Sequence, residues 1–302
     1  MQLTCLGAGG AFAWTKADSL KDMLFQTNFL LRPRRAASGR PEPGLGPAAI
    51  RSAAPVSAPV SAAPRATGVA PQCLLVDCGA TCALALKQIG LTLQNVDALF
   101  ITHLHFDHIV GLEQMAFENR FGPSRRRPLL YANREILEDL WQVLHHSLGH
   151  IEGGRGALDD YFDPRPLDAD ETFTFGSLVL RPIEVDHVRS DVPGGFRAYG
   201  LVVEETEPQV VRVILSGDTK ADASQFTPWL DERLAAVFHD CQFVGDAGSV
   251  HAPWEELKRY PEELRRRTYL IHYGMEYVRY REELARLSFR LAEQGRTYVF
   301  GE

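Results

Sequence analysis

The sequence predicts an α/β fold in which stacked β-sheets are covered by helices on their outer sides. Strand-length apolar runs alternate with helical segments along the 302 residues, which favours layers of sheet and helix. The length suits one large α/β domain or two small ones, and hydrophobic residues make up 45% of the chain, which is ample for a core. We expect a single domain over residues 1–302. The clearest helix spans 133–150, and its apolar residues follow helical spacing: Ile136, Leu137, Leu140, Val143, Leu144 and Leu148.

The N-terminal region predicts two strands, 2–6 and 23–31, on either side of the glycine-rich stretch GAGGAF. No helix with the spacing GxGxxG follows that stretch, so we do not expect a dinucleotide site. Residues 33–71 contain 8 of the 18 prolines and show no periodicity. Such a segment cannot bury enough apolar area to offset chain entropy. We therefore expect a disordered Pro/Ala-rich insertion at about 33–71, at the tip of a lengthened hairpin.

Strands and helices alternate over the rest of the chain. The predicted strands are 72–80, 96–102, 178–186, 197–204, 210–216, 236–240 and 268–272. The predicted helices are 81–90, 133–150, 222–236, 254–266 and 281–294.

Charge and composition exclude several classes of protein. The net charge of −7 gives no general attraction to nucleic acid, and no apolar run approaches the roughly 20 residues that span a bilayer. The N-terminal sequence MQLTCLGAGGAF lacks the basic and apolar regions of a signal peptide. The five cysteines are odd in number and form no CxxC pair, which is typical of reduced, buried thiols. We therefore expect a cytoplasmic protein that does not bind a membrane.

Three histidines and one aspartate follow the predicted strand VDALFIT within six positions. His103 and His105 are two residues apart, and side chains with this spacing in an extended chain point the same way, so the two can hold one cation. Asp107 and His108 come after the chain begins to turn, where they can face a second cation. Imidazole and carboxylate ligands suit zinc, and manganese and iron are alternatives.

The sequence around this cluster resembles the metallo-β-lactamase superfamily. The resemblance is carried by THLHFDHIVGLE and by the upstream segment LLVDCGATCALALKQIGLTLQNVDALFITHLHFDH. It extends over most of the chain outside residues 33–71. It implies a four-layer αββα sandwich with a two-metal site at one edge of the sheets.

The superfamily pattern also requires a histidine, a bridging aspartate and a final histidine, each after a strand. LRPIEVDHVRS supplies His187, the SGDT turn supplies Asp218, and TYLIHYG supplies His272. The resemblance thus implies two Zn²⁺ per chain, with Mn²⁺ or Fe²⁺ as alternatives. The implied ligands are His103, His105 and His187 for one ion and Asp107, His108 and His272 for the other, with Asp218 between them.

Within the superfamily, the segments HVRSDVPGGFRAYGLVVE, VFHDCQF and GSVHAPWEEL resemble the ribonuclease Z branch. This resemblance implies that His251 is the general acid that protonates the leaving oxygen. Asp107 would both bind metal and orient or deprotonate the water, and His239 and Asp240 would orient His251 or a ligand. The alternatives are a surface-loop position for His251 and a buried structural role for His239. The whole arrangement implies hydrolysis by metal-activated hydroxide.

Ribonuclease Z proteins that mature tRNA generally carry a basic arm between the third histidine and the SGDT turn. Here 31 positions separate His187 from Asp218, and the turn between the two strands that fill them is acidic at Glu204, Glu205 and Glu207. The chain therefore resembles the arm-less, anti-Pycsar type of phosphodiesterase. This implies a homodimer that hydrolyses a small phosphodiester, in particular a cyclic nucleotide. The alternatives are a tRNA 3′-end endoribonuclease, a lactonase or thioesterase of the same fold, and a metal-binding scaffold without activity.

The segment between His108 and His187 contains further histidines and aromatic residues, and it could form a lid or a dimer surface over the metals. His146 and His150 share a helix face and, with His145, either form a third metal site or are solvated. Tyr161 and Phe162 either stack on a base or pack in the core.

Overall fold

The computed structural model describes residues 1–13, 23–34, 72–123, 125–152, 154–190, 195–245 and 249–301. All but two residues of the predicted insertion 33–71 lie outside these ranges, so the disorder expected there stays a prediction. The single-domain organisation over residues 1–302 also stays a prediction.

The described residues form sixteen strands and seven α-helices. The strands are β1 (Gln2–Gly7), β2 (Asn28–Arg32), β3 (Leu74–Val76), β4 (Ala98–Phe100), β5 (Leu129–Asn133), β6 (His150–Ile151), β7 (Gly154–Arg155), β8 (Asp163–Leu167), β9 (Phe173–Phe175), β10 (Leu178–Val185), β11 (Ala198–Glu205), β12 (Val211–Leu215), β13 (Leu234–Asp240), β14 (Thr268–Ile271), β15 (Arg290–Leu291) and β16 (Thr297–Val299). The helices are α1 (Cys82–Gln88), α2 (Phe106–Ile109), α3 (Gly111–Phe121), α4 (Arg134–Leu148), α5 (Trp254–Leu257), α6 (Glu262–Arg265) and α7 (Arg281–Arg286).

Two seven-stranded sheets form the centre of the fold. The strand order is β16-β1-β2-β3-β4-β5-β8 in the first sheet and β15-β14-β13-β12-β11-β10-β9 in the second. Each sheet contains three consecutive antiparallel pairs and three consecutive parallel pairs. The sheets pack face to face through ring contacts such as Phe29 with Phe238, at 5.3 Å, and Phe100 with Phe173, at 6.0 Å.

Helix α4 confirms the clearest prediction from sequence periodicity. The Asn133 side chain caps it by accepting a hydrogen bond from the backbone N–H of Glu135 at 3.0 Å, which satisfies a donor that has no partner inside the helix. The apolar face packs on β5 and β8, whereas Val143 is exposed. The buried residues of α4 are Ile136, Leu137, Leu140, Leu144 and Leu148. Helices therefore cover the sheets from outside, and the predicted αββα sandwich is confirmed.

Three predicted helices are wrong or too long. Residues 222–236 form two 3₁₀ turns, Ala223–Gln225 and Thr227–Trp229, before β13 begins, because Pro228 disfavours a continuous helix through Thr227. Pro261 separates α5 from α6 within the stretch 254–266. Helix α7 ends at Arg286, because Ser288 adopts a positive φ of 67° and turns the chain into β15.

Buried side chains resolve one open alternative and test the prediction for the cysteines. Tyr161 and Phe162 are 1% and 0% exposed, so they pack in the core rather than stack on a ligand. All five cysteines are free and buried, which confirms the prediction from their number and spacing. Among the described segments, no helix is both long enough and apolar enough to cross a membrane.

Candidate metal centre

The predicted site residues lie at the carboxyl ends of strands from both sheets. His103 follows β4 in the first sheet, while His187, Asp218 and His272 follow β10, β12 and β14 in the second. The crevice outside the carboxyl ends of strands is the usual ligand position in open α/β sheets. The fold thus brings the compact cluster 103–108 against residues from three distant segments.

The first group of candidate ligands contains His103, His105, His187 and Asp218. His105 Nδ1 lies 3.1 Å from the Nε2 atoms of both His103 and His187. Asp218 Oδ2 lies 3.7 Å from His103 Nε2 and 3.9 Å from His187 Nε2. His105 is half-buried and the other three residues are buried.

The second group contains Asp107, His108, Asp218 and His272, all of them buried. His108 Nε2 lies 3.5 Å from Asp107 Oδ2 and 3.3 Å from Asp218 Oδ2. His272 Nε2 lies 3.3 Å from Asp107 Oδ2 and 3.4 Å from Asp218 Oδ2. Asp218 Oδ2 therefore belongs to both groups and lies between them.

A divalent cation fits each of these groups. Tetrahedral zinc with nitrogen ligands holds its donor atoms about 3.3 Å apart, close to the separations found here. His108 Nε2 and Asp218 Oδ1 are buried and have no hydrogen-bond partner among the described residues. Buried polar atoms are almost always paired, and a cation would satisfy both. Zinc, manganese and iron all match this set of imidazole and carboxylate donors.

Hydrogen bonds behind the rings fix which nitrogen faces the site. Nδ1 of His187 donates to the Val250 carbonyl at 2.7 Å. Nδ1 of His103 lies 3.0 Å from the Thr102 hydroxyl. Nδ1 of His108 donates to Asp77 Oδ2 at 2.7 Å. Such outer partners orient ligands and raise their basicity.

Asp77 also belongs to the site, although it is not among the residues predicted from the sequence. Its carboxylate also accepts hydrogen bonds from the Thr102 backbone N–H and hydroxyl, both at 2.8 Å. Asp77 and His272 adopt positive φ angles of 61° and 60°, which are uncommon for residues other than glycine. Strained backbone of this kind concentrates at functional sites.

Gly217 in the SGDT turn also needs its positive φ of 62° to present Asp218. A Cβ atom at this position would lie only 2.7 Å from the Tyr199 carbonyl oxygen. A larger residue would therefore displace the turn and the carboxylate that the two groups share.

Burial lowers the pKa of the histidines in the first group because it disfavours the charged ring. The pKa of His103 falls well below its usual range, and those of His105 and His187 are also lowered. These three rings are therefore neutral at physiological pH, which is the form that binds a cation.

In the second group the histidine pKa values are raised, because the nearby carboxylates outweigh the effect of burial. Burial alone would lower the pKa of His108 and His272, but Asp218 raises both, aided by Asp77 at His108 and by Asp107 at His272. The pKa values of Asp107 and Asp218 are lowered in turn, against the effect of burial. These shifts favour protons on the two rings beside the carboxylates, and a bound cation would replace such protons.

His251 lies beside both groups but is held differently. Its Nδ1 donates to Asp240 Oδ2 at 2.8 Å, and its ring centre is 4.5 Å from that of His272. Burial alone would lower the pKa of His251, but Asp240 raises it to about 9, with further contributions from Asp218 and Asp107. His251 is thus protonated at neutral pH. His251, Asp240, Asp218 and His272 also form a third group of potential ligands.

His239 has no direct contact with the two groups in the described structure. Its Nδ1 donates to the Asp240 backbone carbonyl at 2.7 Å, and its Nε2 accepts from the Tyr260 hydroxyl at 3.0 Å. It is fully buried, and burial lowers its pKa. Its connection to the site therefore runs through the backbone of Asp240.

The histidines of helix α4 and one further aromatic ring complete the survey of the site. The ring centres of His145 and His146 are 3.9 Å apart with planes tilted by 41°, and no ligand group found among the described residues includes them or His150. The Phe196 ring stacks on that of His105, with centres 4.6 Å apart and planes 27° apart. No spacing in the sequence marks Phe196, although it borders the first group.

Fold and site together define a metal-dependent hydrolase with the metallo-β-lactamase fold. The structure is similar to that of the metallo-β-lactamase-fold protein YhfI from Bacillus subtilis, with a TM-score of 0.65, 16% identity and 98% coverage of each chain. It is also similar to the short form of human tRNase Z, with a TM-score of 0.60, 16% identity and 100% coverage of each chain.

The sequence identifies the family. Residues 68–298 match the family described as Anti-Pycsar protein Apyc1. The chain is 32% identical over 229 residues to the anti-Pycsar protein Apyc1 of Paenibacillus harenae. The matched region covers 75% of this chain and 88% of that relative. This chain belongs to the Apyc1 family of anti-Pycsar proteins, which confirms the resemblance drawn from its motifs.

Proposed function

We propose that this chain is a phosphodiesterase that uses two divalent cations to hydrolyse a small phosphodiester, a cyclic nucleotide. The observation that carries this proposal is the Asp218 carboxylate, which two groups of candidate ligands share beside the protonated His251. Membership of the anti-Pycsar family supports the substrate class, because the resemblance implies enzymes that open cyclic mononucleotides. Zinc is the first candidate metal, and manganese and iron are alternatives.

The chain's own residues would supply orientation and a proton. Divalent cations in such a site supply charge stabilisation for phosphoryl oxygens and a water nucleophile at neutral pH. Asp107 accepts a hydrogen bond from that water and orients it. Asp240 holds Nδ1 of His251, so the Nε2 proton passes to the oxygen that leaves phosphorus. The water oxygen would form a new bond to phosphorus as one P–O bond of the cyclic diester breaks, and the product is a nucleoside monophosphate.

The link between β11 and β12 supports a small substrate rather than tRNA. β11 ends at Glu205 and β12 begins at Val211, so residues 206–210 alone connect them. tRNA-processing ribonuclease Z proteins generally carry a basic arm in this interval. In the described stretch 195–218 the connection is a short hairpin loop without the extended basic segment that binding to tRNA phosphates would require.

The experiment is a substrate panel with the metal-loaded protein. We expect ring opening of 3′,5′-cyclic nucleotides to monophosphates, with about two ions per chain by elemental analysis. A precursor tRNA, a lactone and a thioester serve as competing substrates in the same assay. Cleavage of the tRNA at its discriminator base, without action on cyclic nucleotides, would overturn the proposal.

We also propose that the protein is a homodimer, as the resemblance implies. Light scattering on the purified protein measures this directly. We expect twice the chain mass, and a mass equal to one chain would contradict the proposal.

A further inference from the structure

Two exposed phenylalanines lie beside the candidate metal groups and have no role in the mechanism above. Phe12 is 61% exposed and Phe106 is 43% exposed. Their ring centres are 5.5 Å apart and their planes are 35° apart. Single exposed apolar residues are ordinary, but adjacent exposed rings at the rim of a site are typical of ligand-binding surfaces.

The backbone ties both rings to residues of the candidate metal groups. Phe106 stands between His105 of the first group and Asp107 of the second, and successive Cα atoms are about 3.8 Å apart. The loop that carries Phe12 runs along His272: the Gly10 N–H donates to the Tyr273 carbonyl at 3.2 Å. A Cβ atom at Gly10 would lie 3.0 Å from the His272 carbonyl oxygen. The two rings are therefore held at the rim of the site by residues next to its ligands.

The other aromatic residues considered above are less exposed than Phe12 and Phe106. Tyr161 and Phe162 are buried, and Phe196 is half-buried with its ring stacked on His105. Phe117 and Phe121 form a second exposed pair, with ring centres 5.8 Å apart, but Phe121 ends α3. An eleven-residue helix is roughly 16 Å long, so Phe121 is remote from the ligands that precede α3.

We propose that Phe12 and Phe106 form the base subsite of this enzyme, on which the purine or pyrimidine ring of the substrate stacks. This inference rests on the proposed function, since it assumes that the diester carries a base. Stacking on an aromatic ring tolerates any base because every base has a π face. The subsite therefore favours nucleoside cyclic phosphates over base-free sugar cyclic phosphates, with little preference between bases.

The experiment compares two substrates in matched variants. kcat and KM are measured for a nucleoside 3′,5′-cyclic phosphate and for a base-free ribose 3,5-cyclic phosphate. In Phe12→Ala and Phe106→Ala we expect the ratio of the two kcat/KM values to fall about tenfold, mainly through KM of the nucleotide. Phe106→Trp should keep the ratio high, because it restores a stacking surface. Phe121→Ala is the matched control, and its ratio should equal that of the wild type.

Two results would overturn the base subsite. One is an unchanged ratio in both alanine variants; the other is an equal loss on both substrates with loss of bound metal, which would indicate support of the ligands instead. Wild-type protein that opens no cyclic nucleotide would contradict the proposed function itself. An active wild type with an unchanged ratio in the variants contradicts the base subsite alone, so the two failures are distinguishable.

Discussion

In each sheet, a buried aspartate at the carboxyl end of a strand accepts a hydrogen bond from a histidine ring. The two aspartate–histidine pairs have different surroundings. In the first sheet, Asp77 accepts a hydrogen bond from His108 Nδ1 at 2.7 Å. In the second sheet, Asp240 accepts one from His251 Nδ1 at 2.8 Å. The His108 side chain is 1% exposed, whereas that of His251 is 20% exposed.

Both histidines are hydrogen-bonded to an aspartate, so this pairing alone does not decide their roles. The groups around each ring make His108 a candidate metal ligand and His251 a candidate proton donor. An aspartate raises the pKa of both histidines against the effect of burial. The Nε2 atom of His108 faces the carboxylates of Asp107 and Asp218, so a cation there would replace its proton. His251 is partly open to solvent and can keep a proton to donate to a leaving group.

The substitution Asp218→Asn tests whether the two groups of ligands depend on one carboxylate. Of the site substitutions, it should cause the largest loss of activity and of bound metal. The amide removes the negative charge shared by both groups, so we expect activity at the background rate and loss of most bound metal. Elemental analysis and turnover of a cyclic nucleotide measure the two effects.

The control for this variant is Asp168→Asn, which removes an exposed carboxylate paired with Arg134. Its metal content and activity should match those of the wild type. Asp218→Asn protein with a full complement of metal would contradict the shared-ligand assignment.

His251→Ala tests the proton-donor half of the comparison. We expect kcat for a cyclic nucleotide to fall about 10²–10⁴-fold, the usual contribution of a general acid, with no loss of metal. For a p-nitrophenyl phosphodiester the loss should be smaller than about tenfold, because p-nitrophenolate leaves without a proton. Equal losses on both substrates, together with lower metal content, would instead make His251 a ligand within the third group.

Asp77→Asn tests the ligand half of the comparison and should have a smaller effect. Loss of an outer partner of a metal ligand typically weakens metal binding about 10–100-fold, so we expect that decrease in competition with a chelator. Excess metal should restore most of the activity, because the donor atoms at the site remain in place. His251→Ala serves as the comparison, since excess metal should not rescue it. Unchanged metal affinity in Asp77→Asn would contradict the role of Asp77.

The sequence predicts the first half of the site better than the second, for physical reasons. HxHxDH spacing fixes His103 and His105 on one side of an extended chain, so periodicity alone indicates a metal site. His272 follows a separate strand, and only the family pattern links it to the others. Asp77 stands alone at a strand end, where no spacing distinguishes it from a capping or turn residue. The α/β class can be predicted because strands and helices have different periodicities of apolar residues. The helix predicted at 222–236 is wrong because Pro228 disfavours a continuous helix despite the apolar spacing.

Asp240→Asn should have the smallest effect and separates the two pairs most directly. Asp240 is the main charge that raises the pKa of His251 to about 9, and Asp218 and Asp107 are the other carboxylates that raise it. Removal of the Asp240 charge lowers this pKa, so His251 loses its proton at lower pH and the alkaline limb of the kcat profile shifts to lower pH. At pH 6 we expect less than about a tenfold loss of kcat, because His251 remains largely protonated there.

The matched variant for this last prediction is Asp77→Asn, measured with saturating metal. Its alkaline limb should coincide with that of the wild type, because Asp77 acts on His108 and does not contact His251. An alkaline limb that stays in place in Asp240→Asn would mean that another group protonates the leaving oxygen. A shift of the alkaline limb in Asp240→Asn but not in Asp77→Asn would assign proton donation to the pair of Asp240 and His251. The pair of Asp77 and His108 would then keep the role of orienting a metal ligand.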